Sequence, residues 1–246
     1  MLEILIKNAT IVDGSGKGIS DGFVGIQNGK IVLTKGNVDA KMVIDAKGHY
    51  VSPGFIDAHS HGDLILGEKF AQLCKTSQGV TTEIGGQCGL SLFPIAPQHL
   101  EKIQGLLSVG TLSYPDDMIN WTSFARYLEY ADKQPKTANI KMFVGHSTLR
   151  ITVMGFDNRQ ATPEELEKMK DLLRDAMEHG ALGLSTGLIY TPSCYANTDE
   201  IVALAEVIRP YGGIYASHMR NESFDVVKSV EETIEIGRRA KVPVFI

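Results

Sequence analysis

The sequence predicts an α/β fold that begins with part of a small β-sandwich domain and continues into part of a (β/α)₈ barrel. The first 52 residues contain short β-branched runs separated by turn dipeptides, and Asn28-Gly29 between "FVGIQ" and "KIVLT" is typical of a two-residue hairpin. After Pro53, strand-like runs alternate with helical ones, which indicates a parallel sheet covered by helices. We therefore predict a domain boundary between residues 1–52 and residues 53–246.

The clearest predicted helix is "TPEELEKMKDLLRDAMEHG". Thr162 can cap its N-terminus, Glu165 completes a capping box, and Gly180 can end it. A second helix begins near Asn197, and a third covers about residues 224–240.

The predicted strands end close to residues that bind metals or substrates. The strand ends lie near His61, Cys88, His146, Tyr190, His218 and Ile246. In a (β/α)₈ barrel the chemistry lies at the carboxyl ends of the strands. A doubly wound sheet usually carries a glycine-rich phosphate loop, but no G-x-G-x-x-G opens a helix here. The barrel is therefore favoured, truncated after about five βα units.

Composition narrows the class of protein. The net charge is -5 and no cluster of Lys and Arg occurs, so nucleic acid is not an expected partner. No apolar stretch approaches the roughly 20 residues of a membrane helix, and the N-terminus is typical of a first strand and not of a signal peptide. The three widely spaced cysteines favour a reducing cytoplasm over a disulfide framework.

The stretch "GFIDAHSHGD" suggests a metal site. His59 and His61 are two residues apart, so in a β-strand both side chains would point to one face, and Asp57 and Asp63 share that parity. Burying these polar groups together is unfavourable unless they are satisfied, and two satisfied polar residues at a strand end remain the alternative. Neutral imidazole is a common metal ligand, so we predict that this pair binds a metal.

Two further residues extend the predicted ligand set to four. Cys88 lies between glycines at the end of one predicted strand, and His218 ends another. A mixed nitrogen and sulfur set suits Zn²⁺ better than Mg²⁺ or Ca²⁺. Zinc lowers the pKa of bound water to about 7 and polarises a carbonyl, which is suited to amide hydrolysis. The remaining histidines and cysteines are predicted to be structural: His49, His99, His179, Cys74 (in a helix core) and Cys194.

The motifs carry a resemblance to a known family. In order, "PGFIDAHSH", "GGQCG", "VGHSTLR", "GALGLSTGLIYTP" and "ASHMRNE" resemble the D-aminoacylase (N-acyl-D-amino-acid deacylase) branch of the amidohydrolase superfamily of metal-dependent TIM barrels. The resemblance implies zinc ligation by His59, His61, Cys88 (in place of a carbamylated lysine) and His218. It implies a tight site at the cysteine and two later histidines, a weaker site at His59 and His61, and substrate binding by Tyr190. His146, at a suitable strand end, is predicted to contact substrate as well.

The implied activity is zinc-dependent hydrolysis of N-acyl-D-amino acids, which releases a carboxylate and a D-amino acid. The family carries one more histidine after the sixth strand and a catalytic aspartate after the eighth, and we expect both beyond Ile246. The 246 residues are therefore expected to be the N-terminal half of an enzyme and inactive alone. Two alternatives stay open: a dihydroorotase- or hydantoinase-like cyclic amidase, which would have lysine where Cys88 lies, and a metal-free barrel that acts as a binding protein. The oligomeric state is also open.

Overall fold

The computed structural model describes residues 1–18, 20–34, 36, 38–108 and 114–246. The chain forms two compact units, residues 1–55 and residues 56–246. The predicted boundary between residues 52 and 53 lies close to this division. Within the described ranges, none of the helices has the length and apolar character needed to cross a lipid bilayer.

Twelve strands and seven helices position the functional residues. The strands are β1 (Leu2–Ile11), β2 (Ser20–Gln27), β3 (Lys30–Thr34), β4 (Ala40–Asp45), β5 (Tyr50–Val51), β6 (Phe55–Asp57), β7 (Val80–Gly85), β8 (Asn139–Met142), β9 (Val144–Gly145), β10 (Gly183–Gly187), β11 (Ile214–His218) and β12 (Val244–Phe245). The helices are α1 (Lys69–Thr76), α2 (Leu100–Leu107), α3 (Phe124–Ala131), α4 (His146–Met154), α5 (Pro163–Glu178), α6 (Thr198–Ile208) and α7 (Val226–Ala240). These counts apply to the described ranges.

The first unit is a five-stranded sheet in the order β3-β2-β1-β4, with β5 paired to β1. The predicted hairpin is confirmed, because Gln27 pairs with Lys30 across Asn28-Gly29. Both turn residues have positive φ, +53° and +67°, as a type I′ turn requires. The prediction was for part of a β-sandwich domain; the described part of residues 1–55 forms a single sheet, and the sandwich itself remains a prediction.

The second unit is built from parallel strands that alternate with helices. Its sheets have the orders β6-β7-β8 and β9-β10-β11-β12, so strands that follow one another along the chain lie side by side. Backbone hydrogen bonds from Phe143 N to Gly85 O and from Leu182 N to Met142 O link the two sheets where β8 passes into β9. The parallel α/β arrangement agrees with the prediction. The described strands form two open sheets and no closed barrel, so the barrel itself remains a prediction.

Helix ends agree well with the sequence. The side chain of Thr162 accepts a hydrogen bond from Glu165 N and the Glu165 side chain accepts one from Thr162 N, so the predicted capping box is present at α5. The side chain of Asn197 caps α6 in the same way by accepting from Glu200 N. Gly180 follows α5 at φ +94°. These fixed ends orient the helices on the buried strands β10 and β11.

Candidate metal centre

The two histidines of the His-x-His pair lie in a loop. Strand β6 ends at Asp57, so the strand alternation predicted for His59 and His61 is wrong. The chain instead turns away from the sheet into a short 3-10 helix at Gly62–Ile65. The loop still brings the two rings together, with centroids 5.7 Å apart at an angle of 73°. The two histidine rings are therefore brought together by the conformation of the loop and not by the alternation of side chains along a strand.

Lys75 holds this loop through three hydrogen bonds from its ammonium group. Nζ of Lys75 donates to Asp57 Oδ2 at 2.7 Å, to Glu83 Oε2 at 2.9 Å and to Ser60 Oγ at 2.5 Å. Asp57 Oδ1 also accepts from the backbone N–H of His59 at 3.2 Å. Partial burial opposes ionisation of Asp57, but these hydrogen bonds lower the pKa of its carboxyl group. Asp57 is thus engaged with the loop and with Lys75, and it does not join the histidines as a ligand.

Asp63 is the second carboxylate predicted to share the face of the histidines. It is only 2% exposed, and burial raises its pKa to about 7. It does not line the cleft around His59 and His61, because the 3-10 turn carries it towards the interior. The structure therefore separates Asp63 from the two histidines.

Cys88 reaches the histidines from the loop after β7. Its φ is +56°, which is unusual for a residue with a side chain, and it lies between Gly86 and Gly89. A Cβ on Gly86 would lie 2.2 Å from the carbonyl oxygen of Phe143, and one on Gly89 would lie 2.8 Å from the nitrogen of Gly187. Only glycine permits this close backbone packing. The tight loop directs the thiol towards the histidines.

The four residues predicted to bind the metal come together. Sγ of Cys88 lies 3.3 Å from Nε2 of His59 and 3.5 Å from Nδ1 of His218. Three candidate ligand atoms, one from each of His59, His61 and Cys88, all lie within 4.8 Å of one another. His218 is the last residue of β11, so the sheet itself delivers it to the same edge. The cluster joins residues from three separate parts of the chain.

The chemical state of these groups fits a metal ion. Nδ1 of His61 and Nε2 of His218 are buried and have no hydrogen-bond partner within the described ranges. Burial, together with neighbouring charges, lowers the pKa values of His59 and His61, which keeps both imidazoles in the neutral, ligating form. Burial, followed by the charge of Glu222, raises the pKa of the Cys88 thiol to about 11, so the thiolate form requires a cation such as a metal ion beside it. Unpaired imidazole nitrogens beside a thiol form a nitrogen and sulfur set that suits zinc.

The cluster opens into a cleft of about 430 Å³. Tyr190 follows β10 and lines this cleft, with its ring centroid 4.8 Å from that of His218 in an edge-on contact. Its side chain is half exposed, so a ligand can reach it. Glu222 also lines the cleft, with Oε1 3.1 Å from Nε2 of His218 but without hydrogen-bond alignment. Tyr190 is thus located where a substrate-binding residue is needed.

His146 lies elsewhere, and its predicted contact with substrate does not fit its environment. It is fully buried at the first turn of α4. Its Nδ1 lies 2.7 Å from Ser193 Oγ and its Nε2 lies 2.9 Å from Glu200 Oε1. Glu200 also accepts two hydrogen bonds from Arg150. Both ring nitrogens are used inside the fold, so His146 belongs to a buried network.

Several residues near the cluster were not predicted from the sequence. Lys75 and Glu83 support the histidine loop, and Gln87 and Glu222 line the cleft. Glu222 follows His218 in "SHMRNE" and could have been suspected from that spacing, whereas Lys75 and Glu83 have no local signal. Cys74, expected in a helix core, is exposed because α1 turns that face outward.

Comparison with known proteins gives a consistent result. A family model described as "Amidohydrolase family" matches residues 42–237. The D-aminoacylase of Alcaligenes xylosoxydans xylosoxydans is 39% identical over 99% of this chain and 50% of its own length. The N-acyl-D-aspartate deacylase of the same organism is 37% identical over 96% of this chain and 47% of its own. The chain therefore spans about half the length of the curated relatives it matches.

Solved structures agree with these matches. A crystal structure of D-aminoacylase superposes with a TM-score of 0.87 at 36% identity, covering 99% of this chain and 51% of the other. The N-acyl-D-glutamate deacylase of Bordetella Bronchiseptica, complexed with zinc and a phosphonate inhibitor, superposes with a TM-score of 0.88 at 34% identity, covering 100% of this chain and 51% of the other. An L-hydantoinase from Arthrobacter aurescens has a TM-score of 0.60 at 15% identity, which is evidence of a shared fold alone.

Proposed function

The chain belongs to the amidohydrolase family, and from this premise we propose that it carries the metal site of a zinc-dependent hydrolase of N-acyl-D-amino acids. The reaction cleaves the amide bond and releases a carboxylate and a free D-amino acid. The observation that carries the proposal is the convergence of Cys88 with His59 and His218. The similarity to D-aminoacylase and to the D-aspartate and D-glutamate deacylases supports the substrate class.

In this proposal the residues of the chain have separate tasks. His59, His61, Cys88 and His218 hold zinc, and Tyr190 orients the substrate beside them. Bound zinc supplies an acidified water molecule and polarises the substrate carbonyl.

The proposal includes three broader features. The parallel strands of residues 56–246 are part of a (β/α)₈ barrel, a proposal supported by the way strands that follow one another along the chain lie side by side within each sheet. The partner is a small N-acyl amino acid, because the negative net charge disfavours nucleic acid. The cytoplasm is the proposed compartment on the basis of the sparse cysteines.

Cysteine 88 also separates the proposed function from its nearest alternative. Cyclic amidases of the same superfamily resemble this chain in fold but carry lysine at the equivalent position of the motif. A thiol cannot form the carbamate that such a lysine provides. A cyclic amidase is therefore the second choice, and a metal-free binding protein is disfavoured because all four candidate ligands are retained.

The test is a substrate panel on the zinc-loaded complete gene product. It contains N-acetyl-D-methionine, N-acetyl-D-aspartate, N-acetyl-D-glutamate, the three L-enantiomers, dihydroorotate and hydantoin. We expect turnover of at least one D-substrate and none of the L-enantiomers. Turnover confined to the cyclic substrates would establish the alternative enzyme, and zinc binding below stoichiometric levels would support the binding protein.

A further inference from the structure

A second pocket adjoins the candidate metal centre. Its volume is about 640 Å³, and it shares His61, Cys88 and Tyr190 with the metal cleft. Its remaining walls are largely apolar and include Leu64, Leu90, Leu106 and Phe156. A group that occupies this pocket therefore lies directly beside the atoms proposed to hold zinc.

The described lining of the pocket provides no charged side chain that could pair with a charged group away from the metal centre. Within the described ranges, none of its lining residues is Lys, Arg, Asp or Glu. Placing a carboxylate among leucines without a partner is strongly unfavourable. An aliphatic chain, by contrast, gains about fourfold in binding for each methylene group removed from water. The lining thus favours an apolar occupant.

Gly105 keeps one side of this pocket open. It lies within helix α2, where glycine is a poor helix former, so helix stability does not explain its presence. No described atom lies within 4 Å of the position that a Cβ would occupy, and its φ is not in the left-handed region. Gly105 is itself exposed among the residues that line the pocket, and a larger side chain fits at this position without backbone strain.

We infer that this pocket receives an aliphatic group of the substrate and that Gly105 leaves the room for it. The inference rests on the proposed function and specifies its substrate class, namely N-acyl-D-amino acids with an extended apolar group. That group is either the acyl chain, which starts at the scissile carbonyl carbon, or the side chain of the D-amino acid, which starts two bonds beyond the scissile nitrogen. Acidic side chains are not accommodated there.

The experiment fills the pocket from Gly105 and measures selectivity. Three substrates are compared by kcat/KM on the zinc-loaded complete gene product: N-acetyl-D-alanine, N-octanoyl-D-alanine and N-acetyl-D-leucine. In the wild type we expect at least one of the two larger substrates to be preferred over N-acetyl-D-alanine. Gly105→Phe is expected to lower that preference about 10-fold or more, since blocked methylene groups in an apolar pocket have effects of about 10- to 200-fold.

The occupant of the pocket is identified by which of the two larger substrates shows the fall in kcat/KM relative to N-acetyl-D-alanine. A fall for N-octanoyl-D-alanine assigns the acyl chain, and a fall for N-acetyl-D-leucine assigns the side chain. Glu231→Phe places the same ring on an exposed position of helix α7, which does not line the pocket, and should leave the preference unchanged. Equal preferences in the wild type and in Gly105→Phe overturn the inference, and so does an equal loss in Gly105→Phe and Glu231→Phe.

Two further measurements cover failure of folding or of activity. If thermal unfolding shows that Gly105→Phe is not folded, Phe156→Ser replaces it and should reduce the same preference. If the wild type hydrolyses none of the three substrates, turnover of N-acetyl-D-aspartate or N-acetyl-D-glutamate overturns the inference and leaves the proposed function standing. If those two substrates are not hydrolysed either, the proposed function fails, and the pocket is probed with uncharged n-octanol by titration calorimetry. Binding that weakens at least 10-fold in Gly105→Phe then supports the pocket, whereas equal binding, or none in the wild type, refutes it.

Discussion

Sγ of Cys88 lies 3.3 Å from Nε2 of His59, although 29 residues separate them along the chain. The contact forms because the loops after β6 and β7 turn towards one another at the same edge of a sheet. The left-handed backbone of Cys88, packed between two glycines, directs the thiol to that meeting point. His218, at the end of β11, completes the contact from a third element. The experiments below follow from this convergence.

Removal of the thiol should remove tightly bound zinc. We expect Cys88→Ala to lose the tight zinc and nearly all activity, because a thiolate is a strong zinc ligand that water replaces poorly. His59→Ala should keep more zinc, as the resemblance to a family with unequal sites implies. Inductively coupled plasma analysis of the dialysed proteins measures the zinc content of both variants. Cys194→Ala is the control, and equal zinc loss from the Cys88 and His59 variants would contradict the asymmetry.

Loss of Lys75 should weaken metal binding from a distance. Lys75 hydrogen-bonds Asp57, Ser60 and the buried Glu83, which together support the histidine loop. We expect Lys75→Met to lower zinc affinity about 10- to 100-fold, as is typical when residues that orient ligands are removed. Competition titration with a zinc chelator measures the change.

The control for this change is Lys228→Met, which removes an exposed lysine on α7. Lys75→Met should also reduce the free energy of unfolding by about 1–3 kcal/mol, because the buried carboxylate of Glu83 loses its charged partner and keeps only the hydrogen bond from Ser60. The double variant Lys75→Met with Glu83→Gln should recover part of that stability. Unchanged zinc affinity in a folded Lys75→Met protein would show that the loop holds its geometry without the lysine.

Tyr190 should act on substrate and not on the metal. Its ring contacts His218 and its exposed edge faces the cleft, so Tyr190→Phe preserves the ring contact and removes only the hydroxyl group. We expect zinc content to stay at the wild-type level and kcat/KM to fall about 10-fold, the effect of one hydrogen bond to substrate. Steady-state kinetics with N-acetyl-D-methionine measure this change. A variant with full activity would remove Tyr190 from the substrate site.

Glu200 should stabilise the fold in a pH-dependent way. Burial would raise the pKa of its carboxyl group, but hydrogen bonds and charges from His146 and Arg150 lower it to about 2. The folded pKa lies below the unfolded value of about 4.5, so the stabilisation is fully present above pH 4.5 and is lost as the pH falls towards 2.

We therefore expect Glu200→Gln to lower the free energy of unfolding by about 3–5 kcal/mol at pH 7, since it breaks a buried ion pair. The difference from wild type should shrink between pH 4.5 and pH 2. Urea unfolding at several pH values measures it. Glu206→Gln, an exposed position on the same helix, is the control and should change stability little at any pH. A difference that is constant across this pH range would rule out the ionised form of Glu200 as its source.

Local sequence signals were sufficient for the regular elements. Asn28-Gly29 fixes a hairpin because two adjacent positive φ values suit few residue pairs, and Thr162 with Glu165 fixes the start of α5 because their groups satisfy one another within four residues. The candidate ligands were also recognisable, since His-x-His and an isolated cysteine at the ends of apolar runs carry a distinctive chemistry. These features depend on neighbours along the chain.

Long-range geometry was decided only by the tertiary structure. The sequence predicts that His59 and His61 share the face of a strand, but β6 ends before them. The loop that pairs them is held by hydrogen bonds from Lys75 and by one from the backbone N–H of Ser60 to the carbonyl oxygen of Ile84 in β7. His146 resembles a site residue at a strand end, yet Ser193 and Glu200, 47 and 54 residues away, bind both of its ring nitrogens. Strand length and side-chain direction depend on packing against distant elements. A local sequence pattern does not specify which distant group will pack against it.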